Sequence, residues 1–149
     1  MKICLVASAG GHLSQLLKIV PAVAGYEVFV ITTSQAVREN LARLGPVHVV
    51  SECNRQQVLQ LVRVFLACTW ILRRERPDVV LSTGAAAGCL CCFLGKLMGA
   101  RVVWVDSITN VSRLSLSGRL VRYIADLFLV QWAELAQEYR GVEYVGTIV

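Results

Sequence analysis

The stretch MKICLVASAGGHLSQLL (residues 1–17) decides how the rest of the sequence is interpreted. A short apolar run leads into two glycines and then into leucines at helical spacing, which indicates a strand, a tight turn and a helix. The lysine and the Ala-Ser-Ala of residues 7–9 also resemble a secretory leader, but the apolar run is shorter than the roughly 7–15 residues that a leader needs. Two interpretations of this stretch therefore remain: a phosphate-binding turn, and a strand–turn–helix that binds no ligand.

The same alternation continues along the chain and predicts the fold. Apolar runs predict strands at 2–7, 26–33, 47–51, 78–82, 101–106 and 127–131, and a final segment at 142–145 closes the pattern. Helices are predicted at 12–24, 35–44 (with Ser34 as its cap), 55–76, 85–99, 115–126 and 133–139. This pattern predicts one doubly wound α/β domain over residues 1–149, with a parallel sheet covered on both sides. Ligands bind such sheets at the carboxyl ends of the strands, near the topological switch point, so the loops after strands one, four and five are the candidates.

Composition narrows the class of partner. The chain has 56% apolar and only 17% charged residues, and a net charge of +5. The apolar excess predicts either a sheet buried on both faces or a surface that meets a membrane or another protein, and the positive charge favours anionic partners. Aromatic residues do not interleave with the basic ones, so nucleic acid is not an expected partner. No segment reaches the roughly 20 apolar residues of a transmembrane helix.

The six cysteines predict buried thiols in a reducing compartment. They lie in apolar runs, and no CxxC pair or neighbouring histidine suggests a metal site. No pair of carboxylates with metal-binding spacing is present either, so we expect neither a metal nor another cofactor.

The first candidate loop is SAGGH, with Ser8, Gly10, Gly11 and His12. Glycines let a backbone approach a ligand closely, and the helix that follows offers free N–H groups to an anion. The loop lacks the lysine of a P-loop and the spacing of a dinucleotide fingerprint. His12 lies in the first helical turn, where the positive helix end favours a neutral imidazole that accepts a proton. A capping or packing role for His12 is the alternative.

The other two candidate loops follow strands four and five. STGAAAG (82–88) brings Thr83 and Gly84 to the start of a helix, as a second anion cradle or for close packing on the sheet. DSITN (106–110) provides Asp106, which is predicted either to accept a proton or orient His12, or to cap the loop. Its neighbours Ser107 and Asn110 are candidate contacts to a sugar.

The helix predicted at 55–76 is a candidate membrane contact. Phe65 and Trp70 lie among apolar residues spread around much of its surface, and Arg73, Arg74 and Arg76 cluster at its end. This arrangement suits an interface with anionic headgroups. One alternative is a helix buried on the sheet, whose arginines interact favourably with the negative end of the helix dipole. The other is a helix that faces a protein partner.

Four blocks together resemble a known family. SAGGHLSQL (8–16), STGAAAG (82–88), VDSITNVSRLSLSGRLVRYIADLFLVQWAEL (105–135) and EYVGTI (143–148) are similar to the PssD-type polysaccharide biosynthesis proteins. These are relatives of the membrane-docking subunit of the asparagine-linked glycosylation N-acetylglucosamine transferase. The resemblance covers essentially the whole chain, and its third block is the most specific.

The resemblance implies the N-terminal half of a GT-B glycosyltransferase, which holds a lipid-linked sugar acceptor. A separate chain would supply the C-terminal half that binds the UDP-sugar. The histidine of the family's glycine loop corresponds to His12, and glutamate is frequent in the family where this chain has Asp106. Eukaryotic members also carry a membrane anchor that this sequence lacks, so a peripheral position on the inner face of the plasma membrane is expected.

These observations together predict a function. The chain would be the acceptor-binding, membrane-docking subunit of a two-component enzyme for exopolysaccharide or capsule. It would transfer a sugar, with inversion, from a UDP-sugar to a polyprenyl-diphosphate-linked sugar. His12, assisted by Asp106, would take the proton, while Ser8, Gly10, Gly11, Thr83, Gly84, Ser107 and Asn110 would bind the acceptor and its diphosphate. The alternative is a non-catalytic scaffold that recruits and activates a separate catalytic subunit.

Overall fold

The computed structural model describes residues 1–53 and 56–148, and the predicted alternation of strands and helices is present in them. The strands are β1 (Lys2–Val6), β2 (Glu27–Thr32), β3 (Val47–Val49), β4 (Val79–Ser82), β5 (Arg101–Val105), β6 (Leu127–Val130) and β7 (Glu143–Tyr144). The helices are α1 (Gly11–Ile19), α2 (Arg38–Leu41), α3 (Val58–Glu75), α4 (Ala85–Leu97), α5 (Leu116–Val121) and α6 (Ala133–Glu138).

The strands form one parallel sheet in the order β3-β2-β1-β4-β5-β6-β7. The chain winds outward from β1 in one direction and from β4 in the other, which confirms the predicted doubly wound α/β class. The topological switch point therefore lies between β1 and β4, where the crossovers leave a crevice at the carboxyl edge.

Two cores lie on opposite faces of the sheet, because successive side chains of a strand point to opposite sides. On β1, Ile3 and Leu5 face the core beneath α1 and α2, whereas Cys4 faces the core beneath α3, α4 and α5. The second core is the larger, and its centre is the fully buried Trp104, stacked on Phe128.

The helical cover predicted on both faces of the sheet is present, but it is incomplete on the α1 side of β4, β5 and β6. On the α1 side these strands present six apolar side chains to an open groove of about 480 Å³, bordered by the end of α1 and by residues 145–148. The larger core beneath α3 to α6 shows that these helices lie on the other face. The six side chains are those of Val79, Leu81, Val103, Val105, Leu127 and Leu129.

Helix boundaries differ from the predicted ones for local reasons. The helix predicted at 12–24 ends at Ile19 and continues as a 3₁₀ turn, Val20–Val23, because Pro21 has no N–H to donate to the preceding turn. Ser34 caps the next element as predicted, accepting the Ala36 N–H at 3.3 Å, but only α2 within it is α-helical. The predicted first residue of α3, Arg55, lies outside the described residues.

None of the helices within the described part of the chain combines the length and apolar character needed to span a bilayer.

Candidate functional site

His12 and Thr83 meet at the switch point, one at the start of α1 and the other between β4 and α4. The Nδ1 atom of His12 lies 2.9 Å from the Thr83 carbonyl oxygen, and the Thr83 hydroxyl donates to the His12 carbonyl at 2.7 Å. Because a carbonyl can only accept, Nδ1 carries the hydrogen of the neutral ring and Nε2 keeps its lone pair. Half-buried His12 is therefore held in the tautomer of a proton acceptor.

Gly84 provides the space that the His12 ring occupies. A Cβ at this position would lie 2.5 Å from Cε1 and Nδ1 of His12, and the backbone has φ +137°, which L side chains rarely adopt. Ala85 follows at φ +69°, a left-handed conformation that costs a non-glycine residue on the order of 1–3 kcal/mol. This strained turn fixes the Thr83 carbonyl and Gly84 beside the imidazole.

Close packing of α4 on the sheet, the alternative explanation for the small residues, applies to Gly88 and Gly95. A Cβ at Gly88 would collide with the Ser82 side chain, and one at Gly95 would lie 2.5 Å from Val80. These glycines allow α4 to lie close to β4, whereas Gly84 makes room for His12.

The start of α1 leaves room for an anion. Its N-cap is Gly10 at φ +104°, and no side chain caps the helix. A Cβ at Gly10 or Gly11 would meet nothing within 4 Å, so the space next to the first turn is open, while Ser8 is buried at the end of β1. The uncapped N–H groups and the helix dipole suit a phosphate at this position.

Asp106 has a structural position and no hydrogen bond to His12, so the prediction that it orients His12 is wrong, whereas its role as a proton acceptor stays a prediction. It is 1% exposed, and its carboxylate accepts four hydrogen bonds from its own surroundings. The donors are Trp104 Nε1 at 3.0 Å, Asn110 Nδ2 at 3.2 Å, and the Ser115 backbone N–H and hydroxyl at 2.9 and 2.6 Å. Of the two predicted roles, the loop-capping one is present, and the His12 ring is held by Thr83 instead.

Ser107 and Asn110, which were predicted to contact a sugar, also hold this loop together. Ser107 Oγ accepts from Gln15 Nε2 at 3.2 Å and contacts Thr109 Oγ1 at 3.0 Å, and the Asn110 amide is directed to Asp106. The structure thus places Ser8, Gly10, Gly11, His12, Thr83 and Gly84 along the β1 and β4 loops, and Ser107 and Asn110 within a loop that contacts α1.

Sequence reasoning missed a buried pair of amides beneath these loops. Gln131 Nε2 donates to Gln15 Oε1 at 2.6 Å and to the Asp106 carbonyl at 3.0 Å, and Gln131 Oε1 accepts the Ile148 N–H at 2.9 Å. Gln15 is one turn beyond His12 on the buried face of α1. Two features of the sequence could have indicated this pair: Gln15 is a polar residue at a buried position of a helix, and Gln131 is a polar residue at the carboxyl end of β6.

The predicted membrane-contact residues share the outer surface of α3. Phe65 and Trp70 are 43% and 58% exposed, and Arg73, Arg74 and Arg76 are exposed at the helix end. The Arg74 guanidinium lies 5.2 Å from the centre of the Trp70 ring. The inner surface, which includes Val64, Cys68, Ile71 and Leu72, packs on the sheet, so the helix combines a core face with an open apolar face.

The cysteines carry free thiols, and Cys4, Cys68, Cys91 and Cys92 are buried in the larger core. Burial raises the pKa of the Cys4 and Cys92 thiols. Cys53 and Cys89 are only half-buried, which the prediction of buried thiols did not anticipate.

A family model described as "Oligosaccharide biosynthesis protein Alg14 like" matches residues 30–148. Among the curated relatives, a protein of Yarrowia lipolytica named "UDP-N-acetylglucosamine transferase subunit ALG14" is 30% identical over 119 residues, which cover 76% of this chain and 54% of that protein. The protein of the same name from Mus musculus is 28% identical, over 100% of this chain and 83% of its own length. The chain thus spans about half of the first of these relatives.

Solved structures show the same fold at low sequence identity. MurG of Acinetobacter baumannii superimposes with a TM-score of 0.78 at 13% identity, covering 98% of this chain and 45% of MurG. The UDP-GlcNAc 2-epimerase of Methanocaldococcus jannaschii gives a TM-score of 0.75 at 15% identity, covering 99% and 46% of the two chains. These likenesses confirm the predicted fold of the GT-B N-terminal type.

Proposed function

The chain belongs to the Alg14-like family of oligosaccharide biosynthesis proteins, and on this premise we propose that it is the acceptor-binding subunit of a two-component glycosyltransferase. Residues 1–149 would act as one acceptor-binding domain. The reaction would move a sugar from a UDP-sugar to a polyprenyl-diphosphate-linked sugar. UDP-N-acetylglucosamine is the first donor to test, because the curated relatives are named as subunits of a transferase for that sugar.

The 2.9 Å contact between His12 Nδ1 and the Thr83 carbonyl carries the proposal. With Nδ1–H engaged, Nε2 accepts the proton of the acceptor hydroxyl as that oxygen attacks the anomeric carbon. The C–O bond to the sugar forms on one face while the bond to UDP breaks on the other, so the configuration inverts. The Thr83 carbonyl then stabilises the imidazolium by accepting its Nδ1–H, as a general base of this kind requires.

The open first turn of α1 at Gly10 and Gly11 supports a place for the acceptor's diphosphate. Its free N–H groups are oriented as donors to an anion, and the adjacent loop at Thr83 and Gly84 borders the same crevice. Ser8, Ser107 and Asn110 would act through the loops they hold. In this mechanism the chain needs no metal or cofactor of its own.

The apolar groove on the α1 side of β4, β5 and β6 supports a partner chain. Its six apolar side chains come from three neighbouring strands, and an apolar segment of another chain would pack on them. We assign this groove to an apolar segment of the C-terminal-half glycosyltransferase subunit, which would bind the UDP-sugar. The relatives' names, which call them subunits, agree with this assignment.

The outer surface of α3 supports docking to an anionic membrane. Exposed Phe65 and Trp70 would enter the headgroup region while Arg73, Arg74 and Arg76 meet lipid phosphates. The position would be peripheral, on the inner face of the plasma membrane, and the product would be an exopolysaccharide or capsule as in the PssD-type proteins.

The test is turnover by the chain reconstituted with its partner. His12→Gln should lower kcat about 10²–10⁴-fold, because it removes the general base, while the affinity for the partner stays within about twofold. His48→Gln changes the second histidine of the chain and serves as the matched control, with turnover unchanged. Near-wild-type turnover by His12→Gln would instead favour the non-catalytic scaffold.

A further inference from the structure

A second candidate site lies at the edge of the sheet opposite His12. The amino ends of β4 and β5 and the carboxyl ends of α3 and α4 enclose a cavity of about 850 Å³. Three exposed arginines line it, Arg73 and Arg76 from the end of α3 and Arg101 from the start of β5. Within residues 1–53 and 56–148, the guanidinium groups of Arg73 and Arg76 have neither an ion pair nor a hydrogen bond.

The acidic groups near the cavity are already engaged. The Asp78 carboxylate accepts the Lys2 backbone N–H at 2.7 Å. Asp126 is paired with Lys96 at 2.8 Å and accepts the Val102 N–H, and Arg101 adds only a longer-range attraction.

The charge of the cavity remains positive after the helix ends are included. α3 and α4 both end here, and each contributes about half a negative charge from its dipole. With Asp78 they cancel about two of the three arginine charges. Helix dipoles alone therefore do not account for the three arginines that line the cavity.

Arg76 occupies a position that ordinarily favours glycine. It ends α3 at φ +48°, in the left-handed region, directly before Pro77. Glycine or asparagine is usual at such a helix end, so an arginine there carries a conformational cost.

The cavity opens beside exposed apolar side chains. Met98 lines it and is 40% exposed, and the adjacent Leu97 is 85% exposed. On α3, exposed Trp70 lies one turn before Arg73. A ligand with a phosphate and an attached apolar portion fits this combination better than a free anion does.

We propose that this cavity binds the phosphate of an anionic phospholipid, with Arg73, Arg76 and Arg101 as its donors. Guanidinium groups bind phosphate oxygens in a bidentate manner, and three of them could satisfy one headgroup while Leu97 and Met98 contact the acyl region. This inference rests on the proposed membrane docking of α3 and adds a specific lipid-binding site to it.

Vesicle binding by the full chain tests the proposal. The vesicles contain phosphatidylcholine with or without phosphatidylglycerol, and soluble glycerol phosphate is tested separately as a ligand and competitor. Arg101→Gln should weaken binding to the phosphatidylglycerol vesicles about tenfold, because it removes a charge-assisted hydrogen bond. Arg74→Gln, at the same helix end but outside the cavity, should cost about fivefold at most, and the distant Arg43→Gln less than about twofold.

The outcomes separate the cavity from the docking surface. Leu66, which is 60% exposed on α3, tests the docking surface by itself. A loss for Arg101→Gln no larger than that for Arg74→Gln would overturn the cavity while leaving docking intact, provided that Leu66→Ser still weakens binding. Absence of any binding by the wild-type chain would reject docking and the cavity together. Arg101-dependent binding of glycerol phosphate without an effect on vesicles would reject the lipid assignment.

Discussion

The chemistry of His12 depends on two residues that lie more than seventy positions away in the sequence. Thr83 sets the tautomer through its carbonyl, and Gly84 leaves the space for the ring. Both contacts are made because β1 and β4 are neighbours at the switch point, so each residue follows a strand that ends at the same edge.

Gly84→Ala should therefore inactivate the reconstituted enzyme while the domain stays folded. The new Cβ would meet the imidazole at 2.5 Å, and alanine would be strained at φ +137°, so His12 has to leave the Thr83 carbonyl. We expect kcat to fall about 10²-fold or more, as for loss of the base itself.

The control is Gly141→Ala, since Gly141 also has a positive φ of +77° but has no atom within 4 Å of the added Cβ. It should cost about 1–3 kcal/mol of stability, because alanine is strained at this φ, and leave kcat unchanged. Equal turnover by the two variants would show that the His12 position does not depend on Gly84.

Asp106→Asn tests whether this carboxylate is structural. The amide would place an NH₂ group against donors that now bond to a carboxylate oxygen, so we expect the free energy of unfolding to fall by about 2–3 kcal/mol in urea titrations. Asn110→Ala removes only the 3.2 Å bond and should cost about 1 kcal/mol. Wild-type stability combined with lost turnover in Asp106→Asn would restore the catalytic assignment.

At the scale of elements, a carboxylate at the last residue of α3 adds polar contacts to the apolar packing of this helix on the sheet. Glu75 accepts hydrogen bonds from Lys2 Nζ at 2.7 Å and from His48 Nε2 at 2.9 Å, and so connects α3 with β1 and β3. The hydrogen bond from Lys2, reinforced by that from His48, lowers the pKa of Glu75.

Glu75→Gln should reduce the free energy of unfolding at pH 7 by about 1–2 kcal/mol. A lowered pKa means that this stabilisation is complete above the ordinary value near 4.5 and is lost as pH falls through the folded-state value. The difference between wild type and Glu75→Gln in urea titrations should therefore shrink below about pH 4.5.

Glu27→Gln is the matched comparison, because Glu27 also pairs with Lys2, at 3.1 Å, but its side chain is 70% exposed. Its effect should stay below about 1 kcal/mol. Equal effects of the two substitutions, or a gap that does not change in acid, would contradict the linking role of Glu75.

Local signals predicted which elements form, but not where several of them end. Ser34 caps its helix as its side chain predicts, but Pro21 turned the end of the first helix into a 3₁₀ turn although the apolar spacing continued. The pairing of Gln15 with Gln131 joins residues 116 positions apart. No local pattern encodes such a contact, and for the same reason the hydrogen bonds of Asp106 with Ser115, nine residues further along the chain, were not predicted.

For the whole molecule, alternation predicted the doubly wound sheet and the edge at which the loops after β1 and β4 meet. It did not predict the groove over β4, β5 and β6, because strand and helix patterns do not reveal on which face each crossover helix packs. We propose that a second chain completes both the groove and the crevice at His12.

Sugar transfer by the purified chain, with and without its partner subunit, is the most direct measurement. With UDP-N-acetylglucosamine and a polyprenyl-diphosphate-linked sugar, the account predicts no product from the chain alone and His12-dependent product from the pair. Calorimetry should likewise detect no binding of the UDP-sugar to the chain alone. Sustained transfer by the chain without a partner would contradict the account.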